Sequence, residues 1–168
     1  MSIDESIFIQ DIQVKRIWAV KGRRPIRLVT GSHSRTVVFG VMSIEGRQMF
    51  RQYGKFNKHT FLDFLKKVHR KFRKFYPFMD RASQHYKAKN VRRYMRKNRA
   101  TLRVRWFPVG CPEFDIMEEC WRQGEKDLST QPSFPTSLKE LKDTLAEYYR
   151  TKRFKLDMRK FLLTKRCS

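Results

Sequence analysis

Acidic residues are scarce in this chain: 16 Asp and Glu stand against 39 Lys and Arg, a formal charge of +23 over 168 residues. Such an excess goes far beyond what solubility needs. It selects a polyanion as partner, with nucleic acid ahead of an anionic membrane surface or an acidic protein. Long apolar runs are also missing. None approaches the roughly 20 residues that cross a bilayer, which argues against a helical membrane span. The start, MSIDESIFIQ, has neither a basic n-region nor a cleavage site, so the expectation is a soluble cytoplasmic protein. Cysteine is rare as well: Cys111, Cys120 and Cys167 are odd in number and lack CxxC spacing, which excludes a disulfide framework and a zinc knuckle and leaves structural thiols.

Present instead are 40% hydrophobic and 14% aromatic residues, enough for one domain with a core of its own. The charge is unevenly placed. Between Ile12 and Pro112 the only acids are Glu45, Asp63 and Asp80, and Asp80 lies inside a basic tract from Lys66 to Arg105. Acids return in PEFDIMEECWRQGEKD, from Glu113 to Asp127.

Periodicity divides the chain. IDESIFIQDIQV and KRIWAVKGRRPIRLV alternate in polarity around a KGRRP turn, and RTVVFGVMSIEGRQMFRQYG continues with Val37, Val38, Phe39 and Val41 in a buried strand and a hairpin at Glu45-Gly46. An antiparallel meander follows from this. After Asn57, a helix N-cap, the spacing turns helical with Phe61, Leu62, Leu65, Val68 and Phe72. FYPFMD reads as a short strand. YKAKNVRRYMRKN reads as a helix with Val91, Tyr94, Met95 and Asn98 on one side, LRVRWFP as a further strand, and about Asp115 to Glu125 as a third helix. Residues 129–136 form a Ser/Thr/Pro linker. A capping box from Ser137 to Glu140 opens a last helix carrying Leu138, Leu141, Leu145 and Tyr148, with a basic continuation that groups Phe154, Met158, Phe161 and Leu162. The expected division is a core over 1–128 and a helical extension over 137–168 that packs on it. The order describes an α/β fold, a mixed sheet flanked by helices, with parallel pairing among the later strands.

Three acids stand out: Asp4 in the first strand, Asp80 at the end of the strand after the first helix, and Glu118 in the late acidic cluster. If the first two strands pair centrally, Asp4 and Asp80 become neighbours and a helix across the sheet can bring Glu118 to them. Unpaired carboxylates repel, so such a group makes sense with divalent cations between them, and oxygen ligands favour Mg²⁺ or Mn²⁺. Two such ions suit phosphodiester chemistry. The alternative is that Asp4 and Glu118 are solvated and Asp80 caps a helix.

The segments IDESIF, RIWAVKGRRP, FMDRASQH and RWFPVGCPEFDIMEECW, in this order and followed by a basic, Leu-rich helix, resemble the catalytic domain of mariner-type DDE transposases, particularly their bacterial and archaeal insertion-sequence branch. The family's W-A-x-K-G-x-x-P element matches Trp18 to Pro25, and its E-x-x-W element matches Glu118 to Trp121. The resemblance implies an RNase H-like fold, DNA cleavage and strand transfer at transposon ends, and two Mg²⁺ or Mn²⁺ ions on Asp4, Asp80 and Glu118 as catalytic and metal-binding residues. It also implies a nucleoid-associated location, and as partners transposon-end and target DNA, an upstream-encoded helix-turn-helix part, and a second copy of the chain. Candidate DNA-binding residues are Lys21, Arg23, Arg24, Arg81, His85, Lys87, Lys89, Arg92, Arg93 and Lys126, with His85 either contacting DNA or orienting the site. Two positions depart from the family pattern: Arg81 stands where Asn follows the second Asp, and Asp115-Ile116 replaces Asn-Pro. Arg81 can pair with a phosphate or with Asp80 itself. The competing reading is a non-catalytic basic nucleic-acid-binding protein or an inactive transposase relic.

Overall fold

Val37, Val38, Phe39 and Val41 are all buried because their strand lies inside a sheet that is covered on both faces. The computed structural model describes residues 1–11, 21–22, 31–108, 111, 114–130 and 135–157. Its strands are β1 (Ser2–Ile9), β2 (Arg35–Met42), β3 (Gln48–Tyr53), β4 (Phe78–Met79) and β5 (Arg105–Trp106), in sheet order β3-β2-β1-β4-β5. β1, β2 and β3 pair antiparallel, and β1, β4 and β5 pair parallel. The meander and the mixed sheet therefore form as the polarity pattern indicates. The KGRRP turn and its flanking strand lie mostly outside the described residues.

The helices are α1 (Lys58–Phe72), α2 (Ser83–Tyr86), α3 (Lys89–Lys97), α4 (Ile116–Ser129) and α5 (Leu138–Thr151). Asn57 caps α1 by accepting from the backbone N–H of His59 and Thr60, while the Thr60 hydroxyl accepts from the Asn57 N–H, so both ends of the box are closed. α1 buries Phe61, Phe64, Leu65, Val68 and Phe72. Phe64 takes the core place expected of Leu62, since i, i+3, i+4 and i+7 from Phe61 share one face and i+1 does not; its ring stacks on Phe39 at 5.3 Å.

Two apolar clusters sandwich the sheet. Odd positions of β2, Val37, Phe39 and Val41, meet α1; even positions, Val38 and Met42, meet α4 and α5 through Trp121, Leu141, Leu145 and Tyr149. Ser137 caps α5 by accepting from the Glu140 N–H, but the Glu140 carboxylate turns to the N–H and hydroxyl of Thr136 instead of closing a box with Ser137. α5 stops at Thr151, with Lys152 already extended (φ −61°, ψ 130°). The helical continuation expected there is thus replaced by an extended segment in which Gln48 accepts from the Phe154 N–H and Phe154 is buried. Met158, Phe161 and Leu162 lie outside the described residues. Cys111 is disulfide-bonded, against the expectation of three thiols, because spacing along a chain does not report distance in space; Cys120 is free and buried.

Candidate active site

β1 and β4 run parallel with Ser2 opposite Phe78. Two residues further along β1 stands Asp4, on the same face as Ser2 because a strand alternates every two residues, and Asp80 follows directly on the end of β4. That face is the one α4 covers, and Glu118 lies in the first turn of α4. The topology thus directs the three expected carboxylates to one end of the sheet. Among the described residues, no three His, Cys, Asp or Glu side chains are gathered closely enough to hold a metal ion as they stand. Asp4 and Asp80 rest on protein partners instead.

Asp4 pairs with Gly40 across the β1–β2 ladder. A Cβ at Gly40 would lie 2.4 Å from Met117 Cε, and 2.8 Å from both Phe50 Cε1 and Trp121 Cη2. The missing side chain therefore lets the Trp121 ring lie against the sheet, where its Nε1–H donates to Asp4 Oδ2 at 2.8 Å. Burial, then the charges of Asp115 and Glu5, push the Asp4 carboxyl well above its ordinary range, against the pull of the Trp121 bond.

Asp80 is exposed and is tied from the other side. His85 Nδ1 lies 2.7 Å from Asp80 Oδ1, and the Ala82 N–H donates to the same oxygen. His85 Nε2 lies 3.1 Å from Glu5 Oε2, a charge contact without hydrogen-bond alignment. Burial on its own would lower the His85 pKa, but Asp80 and Glu5 outweigh it and hold it at about 9, so the imidazolium bridges the two acids at neutral pH. Burial likewise tends to raise Asp80, yet His85 brings it below its usual value. His85 is 0% exposed and packs on Phe61 at 4.0 Å. A ring so enclosed offers no surface to a phosphate in this arrangement.

Asp115 is the acid that the sequence brought forward only as a departure. It caps α4 by accepting from the Met117 N–H at 2.9 Å and takes the Ser2 hydroxyl at 2.6 Å, which ties α4 to the start of β1. Burial raises it to about 7, with the charges of Glu118 and Asp80 adding to the shift. Glu118 is exposed and also raised, by partial desolvation, Glu125 and Asp80. Arg81 is exposed and makes no ion pair with Asp80 among the described residues. Of the other candidate DNA contacts, Lys21, Lys87, Lys89, Arg92, Arg93 and Lys126 are exposed, while Arg23 and Arg24 lie outside the described residues.

The family model for the DDE superfamily endonuclease matches residues 1–142. The chain belongs to this DDE family. No curated protein sequence matches it. Among solved structures, the mariner Mos1 paired end complex with Mg is similar with a TM-score of 0.69 at 14% identity, over 96% of this chain and 51% of that one. The Mos1 transposase paired-end complex with left transposon end gives 0.64 at 16%, over 97% and 54%. A chain of the simian T-cell lymphotropic virus intasome in complex with PP2A regulatory subunit B56 gamma gives 0.57 at 11%, over 99% and 55%. At such identities the likeness is one of fold, the RNase H-like mixed sheet, and this DDE domain spans about half the length of those chains.

The acids of the DDE domain fit a divalent cation chemically. Asp4, Asp80, Asp115 and Glu118 offer only oxygen donors, and three of them are raised in part by one another's charge. Glu5, Asp115, Gly40 and Trp121 were not assigned functional roles from sequence. Two signs were available: the E-x-x-W spacing that ends at Trp121, and an isolated glycine inside a strand pattern, which marks a close approach by another group.

Proposed function

We propose that this chain is the catalytic portion of a DDE transposase, which cuts and joins DNA at transposon ends with Asp4, Asp80 and Glu118 holding Mg²⁺ or Mn²⁺. The observation that supports the reading is the parallel β1–β4 pairing at Ser2 and Phe78, each two residues before Asp4 and Asp80, beside the helix α4 that bears Glu118. Bound divalent ions would supply an activated hydroxyl and stabilise the leaving oxygen of an in-line displacement. The chain's own residues set up that chemistry. Trp121 fixes the Asp4 carboxylate, His85 fixes that of Asp80, and Asp115 anchors the helix turn bearing Glu118. Exposed Lys87, Lys89, Arg92, Arg93 and Lys126 would hold phosphates beside them. The core is read as 1–128 with 137–168 as an extension, supported by the burial of Leu141, Leu145 and Tyr149 against Trp121 and Phe50.

The test joins the chain to an end-binding helix-turn-helix module and assays nicking with Mg²⁺ or Mn²⁺. The parent should nick, and Asp80→Asn should abolish nicking while leaving DNA binding in place. Equal cutting by the variant would refute the assignment.

A further inference from the structure

A second basic surface lies away from the carboxylates. Beside the edge strand β3, between α1 and α5, runs a groove of about 840 Å³. Its floor is apolar, with Val38, Phe50 and Leu145, and its walls carry Arg47, Arg51, Lys71, Arg150 and Arg153. β3 lies two strands from β1, roughly 10 Å across the sheet. Trp121, Phe50 and Tyr149 pack ring against ring between the groove and Asp4.

The five cations are incompletely neutralised. Arg47 lies 3.6 Å from Glu45, and Arg150 pairs with Glu147. Arg51, Lys71 and Arg153 meet no carboxylate among the described residues: Arg51 donates to the Phe50 carbonyl at 3.1 Å, Lys71 to that of Gln48 at 3.0 Å, and Arg153 to that of Arg150 at 2.9 Å. Partial burial lowers the Lys71 ammonium, and the charges of Arg51, Arg153 and Arg47 lower it further. Like charges held together on three elements, α1, β3 and the segment after α5, cost free energy that an anion would recover.

We infer that this groove binds the phosphate backbone of DNA, as a contact separate from the carboxylate site. Arginine and lysine donors already fixed by backbone carbonyls are suited to phosphate oxygens, the apolar part of the lining offers room for sugar rings, and the two amides there, Gln48 and Gln52, are engaged by backbone groups of Lys152, Phe154 and Lys142. The identity of the polyanion rests on the DNA-processing reading above. None of these five residues is among the DNA contacts expected from sequence, because they are scattered over positions 47 to 153 and gathered only by the fold.

The experiment measures binding of a short labelled duplex by fluorescence anisotropy across a salt series, in chelator so that cutting plays no part. The combined variant Arg51→Gln, Lys71→Gln, Arg153→Gln is compared with the parent and with Arg99→Gln, Arg103→Gln, Arg105→Gln, an equal charge change at exposed positions by the opposite edge strand. All six positions are exposed, and unchanged circular dichroism would certify the fold. The groove variant should lose more than tenfold in affinity, and its slope of log affinity against log salt should fall by roughly 3, about 0.9 for each lost phosphate contact. The control should lose less on both measures. Equal losses in variant and control overturn the inference, as does an unchanged slope. A variant that keeps DNA binding but loses binding of polyglutamate makes the groove a site for acidic protein segments, and overturns the inference as well. A parent that binds no duplex overturns the function reading together with this one, whereas a binding parent with an indifferent groove variant overturns the groove alone.

Discussion

Gly40 shows how a residue with no side chain shapes chemistry. Its missing Cβ is the space that Met117, Phe50 and Trp121 occupy, and Trp121 in turn holds Asp4. Gly40→Ala should therefore cost stability through overpacking, about 1–3 kcal/mol by urea unfolding, and should also weaken Mn²⁺ binding by calorimetry. Trp121→Phe separates the two effects. It keeps most of the ring contact but removes the donor, and by analogy with other ligand-orienting partners it should lower Mn²⁺ affinity about 10- to 100-fold with a smaller loss of stability. Unchanged affinity in that variant would show that Asp4 does not depend on the indole for its placement.

Between elements, the α4–α5 contact depends on a second close approach. A Cβ at Gly124 would stand 2.4 Å from the Tyr149 hydroxyl, and that ring is held by Phe8, Phe50, Trp121 and Phe154. Alanine is the better helix former by about 1 kcal/mol. The clash should still win because the ring cannot swing away. Gly124→Ala is thus expected to lower the melting temperature, and adding Tyr149→Phe should recover much of the loss. Further along the same pair, Asp127 accepts from Lys152 and from the Tyr148 hydroxyl, both at 2.7 Å. The Lys152 bond, then the Tyr148 bond and the lysine charge, outweigh desolvation and hold the carboxyl below its usual value. A depressed carboxyl contributes stability above its unfolded pKa, near 3.9, and loses it as pH falls through the folded value. Asp127→Asn should accordingly destabilise by about 1 kcal/mol or less at pH 7, since the pair is partly exposed, and the difference should vanish in acid. A difference that persists at low pH would assign the effect to packing.

For the whole molecule, the charge of +23 would dominate the encounters with DNA that the proposed function requires. Affinity for duplex DNA should fall steeply with salt and vary little with base sequence, because the exposed Lys and Arg are phosphate-type contacts. Titration of unrelated duplexes at two salt concentrations checks both. At this scale much was legible: polarity alternation marked the antiparallel strands, helical spacing marked α1 and α3 to α5, and the connecting helices indicated the parallel pairing of the later strands β4 and β5. α2 went unrecognised, since four residues carry no helical period. The helical continuation after Thr151 failed because apolar spacing at Phe154 reports burial without specifying which backbone conformation delivers it.

The sequence by itself determined the longer elements up to Thr151, the basic character and the positions of Asp4, Asp80 and Glu118 along the chain, since these depend on local periodicity and composition. Only the tertiary structure decided that His85 is a buried bridge between Glu5 and Asp80, that Asp115 joins α4 to β1, and that five distant cations share one groove. Each of those depends on which surfaces the sheet brings together, and partners far apart in sequence leave no periodic trace of their meeting.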